Sequence, residues 1–270
     1  QCMEAYIPFT VRIEQPLVTE QMQSVLAAFV RQADARLVNS RKILFRVNVG
    51  VVLDGYDQVA ELLGEGWQVV HQRGRTADGT GASIASRWPI ANVRQHFLHV
   101  TPRVDATEPW IGSVVLAEVR APDPYGRILV THFKPSWQFS LSRERELQAV
   151  AAARLVEHAV ATDAPDHVLL AGDFDATPDS AMVRFWSGRQ SLGETSVAYR
   201  DAWEHVHGPA AGHTFDPGNP LCAGGELRYE IGRRIDYLFV RSGHRGPTLR
   251  IAECARFLDQ PVDGVWASDH

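Results

Sequence analysis

Apolar residues fall along this chain in two rhythms. Met22, Val25, Leu26, Phe29 and Val30 recur at the three- and four-residue spacing of one helix face, which predicts an amphipathic helix over about 19–34. β-Rich runs follow at 43–53, 67–72, 83–90, 113–121 and 127–133. A short helix, YDQVAELL, sits among them and is stopped by Gly64. GRTADGTGAS reads as a loop, and PDPYG as the turn joining SVVLAEVRA to RILVTHF. A long helix is expected from Ser142 to Ala161, with Leu147, Val150, Ala151 and Leu155 as its buried stripe. A strand at 168–171 comes next, then a polar stretch to about 228, then RIDYLFVR and TLRIAECARFL as strands. Strands and helices interleave, with no repeat and no long linker, so the expectation is one α/β domain with mixed sheets.

The segment HVLLAGDFDATPDS, residues 167–180, breaks the pattern most sharply. A strand covered on both faces runs straight into two acids. Gly172 would let the backbone pass close to another group, and Pro178 ends the pairing. Period-2 geometry puts Asp173 and Asp175 on one side and Phe174 on the other. Two like charges there are costly unless paired, hydrogen-bonded or neutralised by a cation. A solvated strand end with turn-forming Asp is the plain reading; a metal or phosphate site is the sharper one.

Composition narrows the function classes. The chain has 45% hydrophobic and 22% charged residues, as expected of a globular protein. No window approaches the ~20 apolar residues of a membrane span. No signal peptide is visible, and Cys2, Cys222 and Cys254 form no CxxC pair, so a reducing, cytoplasmic location is the default expectation. The chain opens on Gln1, so a processed N-terminus stays open. The net charge is −5 and Lys42 and Lys134 are the only lysines, which gives no basic run for duplex DNA. A serine hydrolase lacks its G-x-S-x-G and a zinc protease its H-E-x-x-H.

Three further polar clusters end β-rich runs: Thr131-His132, Arg234-Ile235-Asp236 and the closing Ser268-Asp269-His270. Singly, His132 reads as a hydrogen-bonded core histidine, Arg234 and Asp236 as a same-face ion pair, and Asp269-His270 as a frayed tail. Together they suit a site on the rim of paired sheets.

The motifs THF, GDFDATP, RRIDYLFV and SDH, in this order, resemble those of the endonuclease/exonuclease/phosphatase superfamily, the deoxyribonuclease I-like fold. GASIASRWPI, YRDAW and GHTF are similar to further family segments, and the resemblance spans about 55–270. It implies a four-layer α/β sandwich with two central mixed sheets flanked by helices. The implied activity is Mg²⁺- or Mn²⁺-dependent hydrolysis of a phosphodiester or phosphomonoester. By resemblance His270 is the catalytic histidine, Asp236 the acid that orients it, and His132 the phosphate-contacting histidine. Asp173 would orient water or leaving group, Asp269 would be a metal carboxylate, and Asp175 and Arg234 would face the phosphate.

Two departures from the family pattern bear on the chemistry. Asp175 stands where the family has Asn, and a carboxylate cannot donate to a phosphate oxygen as an amide does. The family's metal-binding Glu is matched either by Lys42 or, in a shifted alignment, by Asp54, the better choice chemically; Asn48 is a stand-in for a missing Asn. A further strand follows SDH in the family, so the chain is expected to lack its final C-terminal strand. The expected substrate is a small-molecule or lipid-headgroup phosphoester in preference to duplex DNA, with no obligate protein partner. The competing reading is a binding module on the same fold, its metal site lost.

Overall fold

Most of the β-rich runs become strands where their alternation sets them. The computed structural model describes residues 3–4, 45–77, 79–104, 111–224, 229, 231–256, 259–261, 264, 266 and 268–270. The helix expected at 19–34 and Lys42 lie outside the described residues.

Strands β1 (Met3–Glu4), β2 (Phe45–Leu53) and β3 (Tyr56–Asp57) precede helix α1 (Gln58–Leu63). Then come β4 (Gln68–His71), β5 (Thr80–Ser86), β6 (Ile90–Phe97), β7 (Ser113–Arg120) and β8 (Arg127–Lys134). A short 3-10 turn, Phe139–Leu141, leads into α2 (Ser142–Asp163), β9 (His167–Asp173) and α3 (Ala181–Trp186). The rest is β10 (Tyr199–Asp201), α4 (Ala202–His207), α5 (Pro220–Gly224), β11 (Asp236–Gly243), β12 (Gly246–Pro247) and β13 (Ile251–Glu253).

The large sheet has seven strands, in the order β10-β11-β9-β8-β7-β6 with β12 on β11; the small one has four, β3-β2-β5-β4. The large sheet is mixed, with β8 and β9 parallel and its other pairs antiparallel. The small sheet, expected to be mixed, is antiparallel in its described pairs. β1 and β13 form a separate parallel pair.

Alternation builds the layers. One face of the large sheet carries Leu116, Leu129, Leu170 and Phe239 against α2 and α3. The other carries Val115, Val130, Leu169 and Leu238 against Ile84 of the small sheet. Helix α1 covers the far side through Val59 and Leu63 on Ala85. The order is helices, large sheet, small sheet, helix, which is the four-layer sandwich the resemblance implied. No described helix is long and apolar enough to cross a membrane.

Several elements differ from expectation. The buried stripe of α2 is Ala149, Ala152, Ala153, Val156 and Ala159, and the expected Leu147, Val150, Ala151 and Leu155 lie half-buried at its flank. Alanine lets the helix backbone approach the sheet closely, which weighting by side-chain size conceals. Strand β5 begins inside the expected loop at Thr80, and β6 was not expected, because IANVRQHF carries little apolar alternation. TLRIAECARFL shrinks to Ile251–Glu253.

The closely approaching group beside Gly172 is the carbonyl of Phe133. A Cβ at Gly172, which has φ +151°, would lie 2.1 Å from that oxygen. Gly172→Ala is expected to lower the unfolding free energy by about 2–3 kcal/mol, read by urea denaturation. A loss below about 0.5 kcal/mol would show that β9 can move away from β8 freely.

Candidate active site

The same period-2 rule places the chemistry. On β8 the side chains of Ile128 and Val130 face the small sheet, so His132 and Lys134 follow them. On β9 Leu169 and Ala171 set the side for Asp173, and on β11 Leu238 sets it for Asp236. Register brings these ends level: Ala171 pairs with His132, and Asp173 with Asp236. Phe174, on the opposite side, joins Phe133, Trp186, Tyr237 and Phe239 in the core.

Lys134 neutralises the two acids of GDFD. Its Nζ donates to Asp173 Oδ2 at 2.5 Å and to Asp175 Oδ2, with only 6% of its side chain exposed. The backbone N–H of Asp175 donates to Asp173 Oδ1 at 2.9 Å, and Asp175 takes a left-handed φ of +48° that Asp tolerates. Burial opposes the charge on Lys134, but Asp173 and Asp175 outweigh it and hold the ammonium above its ordinary value. Asp173 resists burial through Lys134 and is held below the usual carboxylate range, while burial and Asp173 push Asp175 up. Asp175 thus meets a cation, and that cation is a lysine two residues beyond His132, on the same strand face. The spacing was available in the sequence, although THFK drew attention only to its histidine.

His270 is anchored beside them. Its Nδ1 lies 2.7 Å from Asp236 Oδ2, and its backbone N–H donates to Ser268 Oγ at 3.1 Å. The ring meets Phe215 edge-on at 5.3 Å between centroids. Burial would depress the imidazole, yet Asp236, helped by Asp173 and Asp269, raises it to about 10. Thr214 donates its hydroxyl to Asp236 Oδ2 at 2.6 Å and accepts the N–H groups of Ile235 and Asp236. Asn219, buried nearby, donates to the Ser268 carbonyl at 2.8 Å and fixes the segment that carries His270. Thr214 lies within GHTF and Asn219 just after it, yet no role was legible for either, since each acts through a contact distant in sequence.

His132 is 3% exposed and its Nδ1 has no hydrogen-bond partner. Burial, with Lys134, lowers its pKa to about 4 against the pull of Asp173. It is therefore neutral when folded and charged when unfolded below about pH 6.5. The unfolded state binds more protons in that window, so stability falls as pH drops from 6.5 towards 4, by up to about 3 kcal/mol. His132→Asn is expected to flatten that part of the pH–stability curve; an unchanged slope would show that other groups set it.

Arg234 points elsewhere. Its guanidinium donates to Asp201 Oδ2 at 2.8 Å and lies 4.6 Å over the Tyr237 ring. The ion pair considered for it exists, but with Asp201 in place of Asp236. Asp54 stands on the exposed turn between β2 and β3, with φ +51°, and not among the contacts above.

Asp269 Oδ1 is buried without a hydrogen-bond partner, an oxygen suited to a cation. Among the described residues no group of three or more His, Cys, Asp or Glu forms a ready metal cage. Mg²⁺ needs none, since it keeps several waters and takes one or two carboxylates. Asp269 is a carboxylate that such an ion could take.

The Endonuclease/Exonuclease/phosphatase family profile matches residues 30–270. The chain belongs to that family. Membership supports phosphoester hydrolysis of a metal-dependent kind in general. The chain is similar to the crystal structure of humanized D. rerio TDP2, at 17% identity and TM-score 0.60, covering 97% of this chain and 93% of that one. It is similar to an endonuclease/exonuclease/phosphatase from Bacteroides vulgatus, at 15% and 0.58, covering 86% and 85%. The human Nocturnin catalytic domain, with bound sulfate, matches at 11% and 0.51, covering 84% and 77%. Identities this low speak for the fold alone. No curated protein matches the sequence.

Proposed function

We propose that this protein is a divalent-metal-dependent phosphoesterase whose reaction runs at the joined ends of β8, β9 and β11. The observation that carries the reading is the chain Thr214–Asp236–His270 set beside the Lys134-neutralised acids. A carboxylate against imidazole Nδ1 fixes the ring and favours the imidazolium, which can balance charge as phosphorus is attacked. Asp173, kept ionised by Lys134, is the carboxylate that takes a proton from the attacking water. His132, neutral and without a hydrogen-bond partner at Nδ1, would contact the phosphate. Asp269, with Asp54 as a second candidate, would hold Mg²⁺ or Mn²⁺, which supplies charge neutralisation at the phosphoryl group. Arg234, bound to Asp201, would act by holding β11 to β10 and not by touching phosphate. The net charge of −5 and the two lysines favour a small-molecule or headgroup phosphoester over duplex DNA.

The test is hydrolysis of bis-(p-nitrophenyl) phosphate and p-nitrophenyl phosphate with and without Mg²⁺ or Mn²⁺, beside Mn²⁺ binding followed by electron paramagnetic resonance. Metal-dependent turnover, with Mn²⁺ binding weakened in Asp269→Ala, is expected. A folded protein with neither turnover nor Mn²⁺ binding would overturn the reading.

A further inference from the structure

Lys134 answers two acids with one charge. Its Nζ donates to Asp173 Oδ2 and to Asp175 Oδ2, so one positive and two negative charges leave one negative charge in excess. The two acids are not held alike. Asp173 also accepts the Asp175 backbone N–H and lies in the field of His270. Asp175 has the more exposed side chain and lines a cleft of about 320 Å³. The excess charge is therefore presented at the cleft wall by Asp175. The other charged groups of the cleft are turned elsewhere. Arg145 adds a positive field at Asp175, but its guanidinium donates to the carbonyls of Ser136 and Gln138 at 3.1 and 2.7 Å. Arg233 lies 5.0 Å over the Phe139 ring and 5.7 Å over Phe215. Glu146 faces Arg143 at 3.8 Å.

The backbone does not require an acid here. The φ of +48° at Asp175 suits Asn equally, and an amide of the same shape would carry no charge. What the carboxylate changes is the electrostatics facing a phosphoryl group. A phosphodiester carries one negative charge, and a phosphomonoester close to two once the pH exceeds its second pKa of about 6. A fixed carboxylate at the wall repels the second charge as well as the first, and in a partly buried site that repulsion is weakly screened. We propose that Asp175 is a specificity-determining residue that reads the charge of the substrate, admitting a phosphodiester monoanion and disfavouring a phosphomonoester dianion at the same phosphoryl position. The inference rests on the phosphoesterase reading and names the residue that chooses between its two ester classes.

The experiment compares kcat/KM at pH 8 for methyl p-nitrophenyl phosphate and p-nitrophenyl phosphate, which share a leaving group and differ by one charge. The proteins are wild type, Asp175→Asn, Asp175→Gly and Glu146→Gln. Comparing the diester-to-monoester ratio between proteins cancels the intrinsic reactivity of the two esters. The ratio is expected to fall by about ten- to a hundredfold in Asp175→Asn, the scale of one unit charge a few ångströms away. Asp175→Gly, which also accepts the left-handed backbone, should give the same shift if the amide variant folds poorly. Glu146→Gln removes an acid from the same cleft and should leave the ratio within about twofold. A ratio within about threefold of wild type in both Asp175 variants overturns the role while leaving the phosphoesterase intact. An equal shift in Glu146→Gln also overturns it, since the charge of the whole cleft would then discriminate. Absence of turnover with both esters would overturn the phosphoesterase reading instead. Calorimetric binding of inorganic phosphate against dimethyl phosphate then decides the role of Asp175: a larger gain for inorganic phosphate in Asp175→Asn supports it, and equal changes or no binding of either sink it.

Discussion

Lys134→Met is expected to destabilise the protein by about 3–5 kcal/mol, because it leaves two buried carboxylates facing each other without their cation. Asp173 and Asp175 are 8% and 13% exposed at their side chains, so water can repair little of that loss. The companion substitution Asp175→Asn restores the residue that the family has at this position. Alone it should cost about 1 kcal/mol, since Lys134 keeps Asp173 and gives up one charged hydrogen bond. In the Lys134→Met background the same change should be stabilising, because it removes the unpaired charge. Urea denaturation of the four proteins gives the coupling directly, expected at about 1–3 kcal/mol. Simple additivity would mean that lysine and aspartate do not share one site in solution, and the account of Asp175 would fail. The result bears on the proposed function as well, since the lysine would make a second acid tolerable beside a bound phosphate.

The second large effect is on turnover. Asp236→Asn should reduce kcat/KM by about 10²–10⁴, the usual contribution of a positioned acid–base pair. An amide in that place can present either oxygen or nitrogen to His270, and it no longer supports an imidazolium. The Thr214 hydroxyl, 2.6 Å away, can still bond the amide, so the fold should survive. Far-UV circular dichroism separates lost structure from lost chemistry. Activity within about threefold of wild type, in a folded variant, would remove His270–Asp236 from the reaction.

Legibility in the sequence followed the range of the interactions. Strand faces, the segregation of Phe174 from Asp173 and Asp175, and the recurrence of polar groups at strand ends were readable from period 2 alone. The partner of Arg234 was not, because Asp201 is thirty-three positions away and only the pairing of β10 with β11 brings it close. The Ala-rich face of α2 was missed for a different reason: the buried stripe is defined by closeness of approach, and small side chains carry weak hydropathy. Lys134 was visible as one of two lysines, but its role depends on the parallel pairing of β8 with β9, which local pattern does not specify. The metal ligand expected at Asp54 depends on residues 39–54, of which 39–44 lie outside the described residues.

The pairing of Asp173 with Asp236 has a consequence for error control. Sliding β11 by one residue along β9 would turn Asp236 towards Phe133, Phe174 and Trp186, and Tyr237 towards the small sheet. A chain folded in that register would bury an acid among aromatic rings and would be rejected on stability before any chemistry was attempted. The aromatic cluster behind the sheet therefore acts as a proofreader for the groups in front of it. Drift in the core and drift in the site cannot accumulate independently at this strand pair.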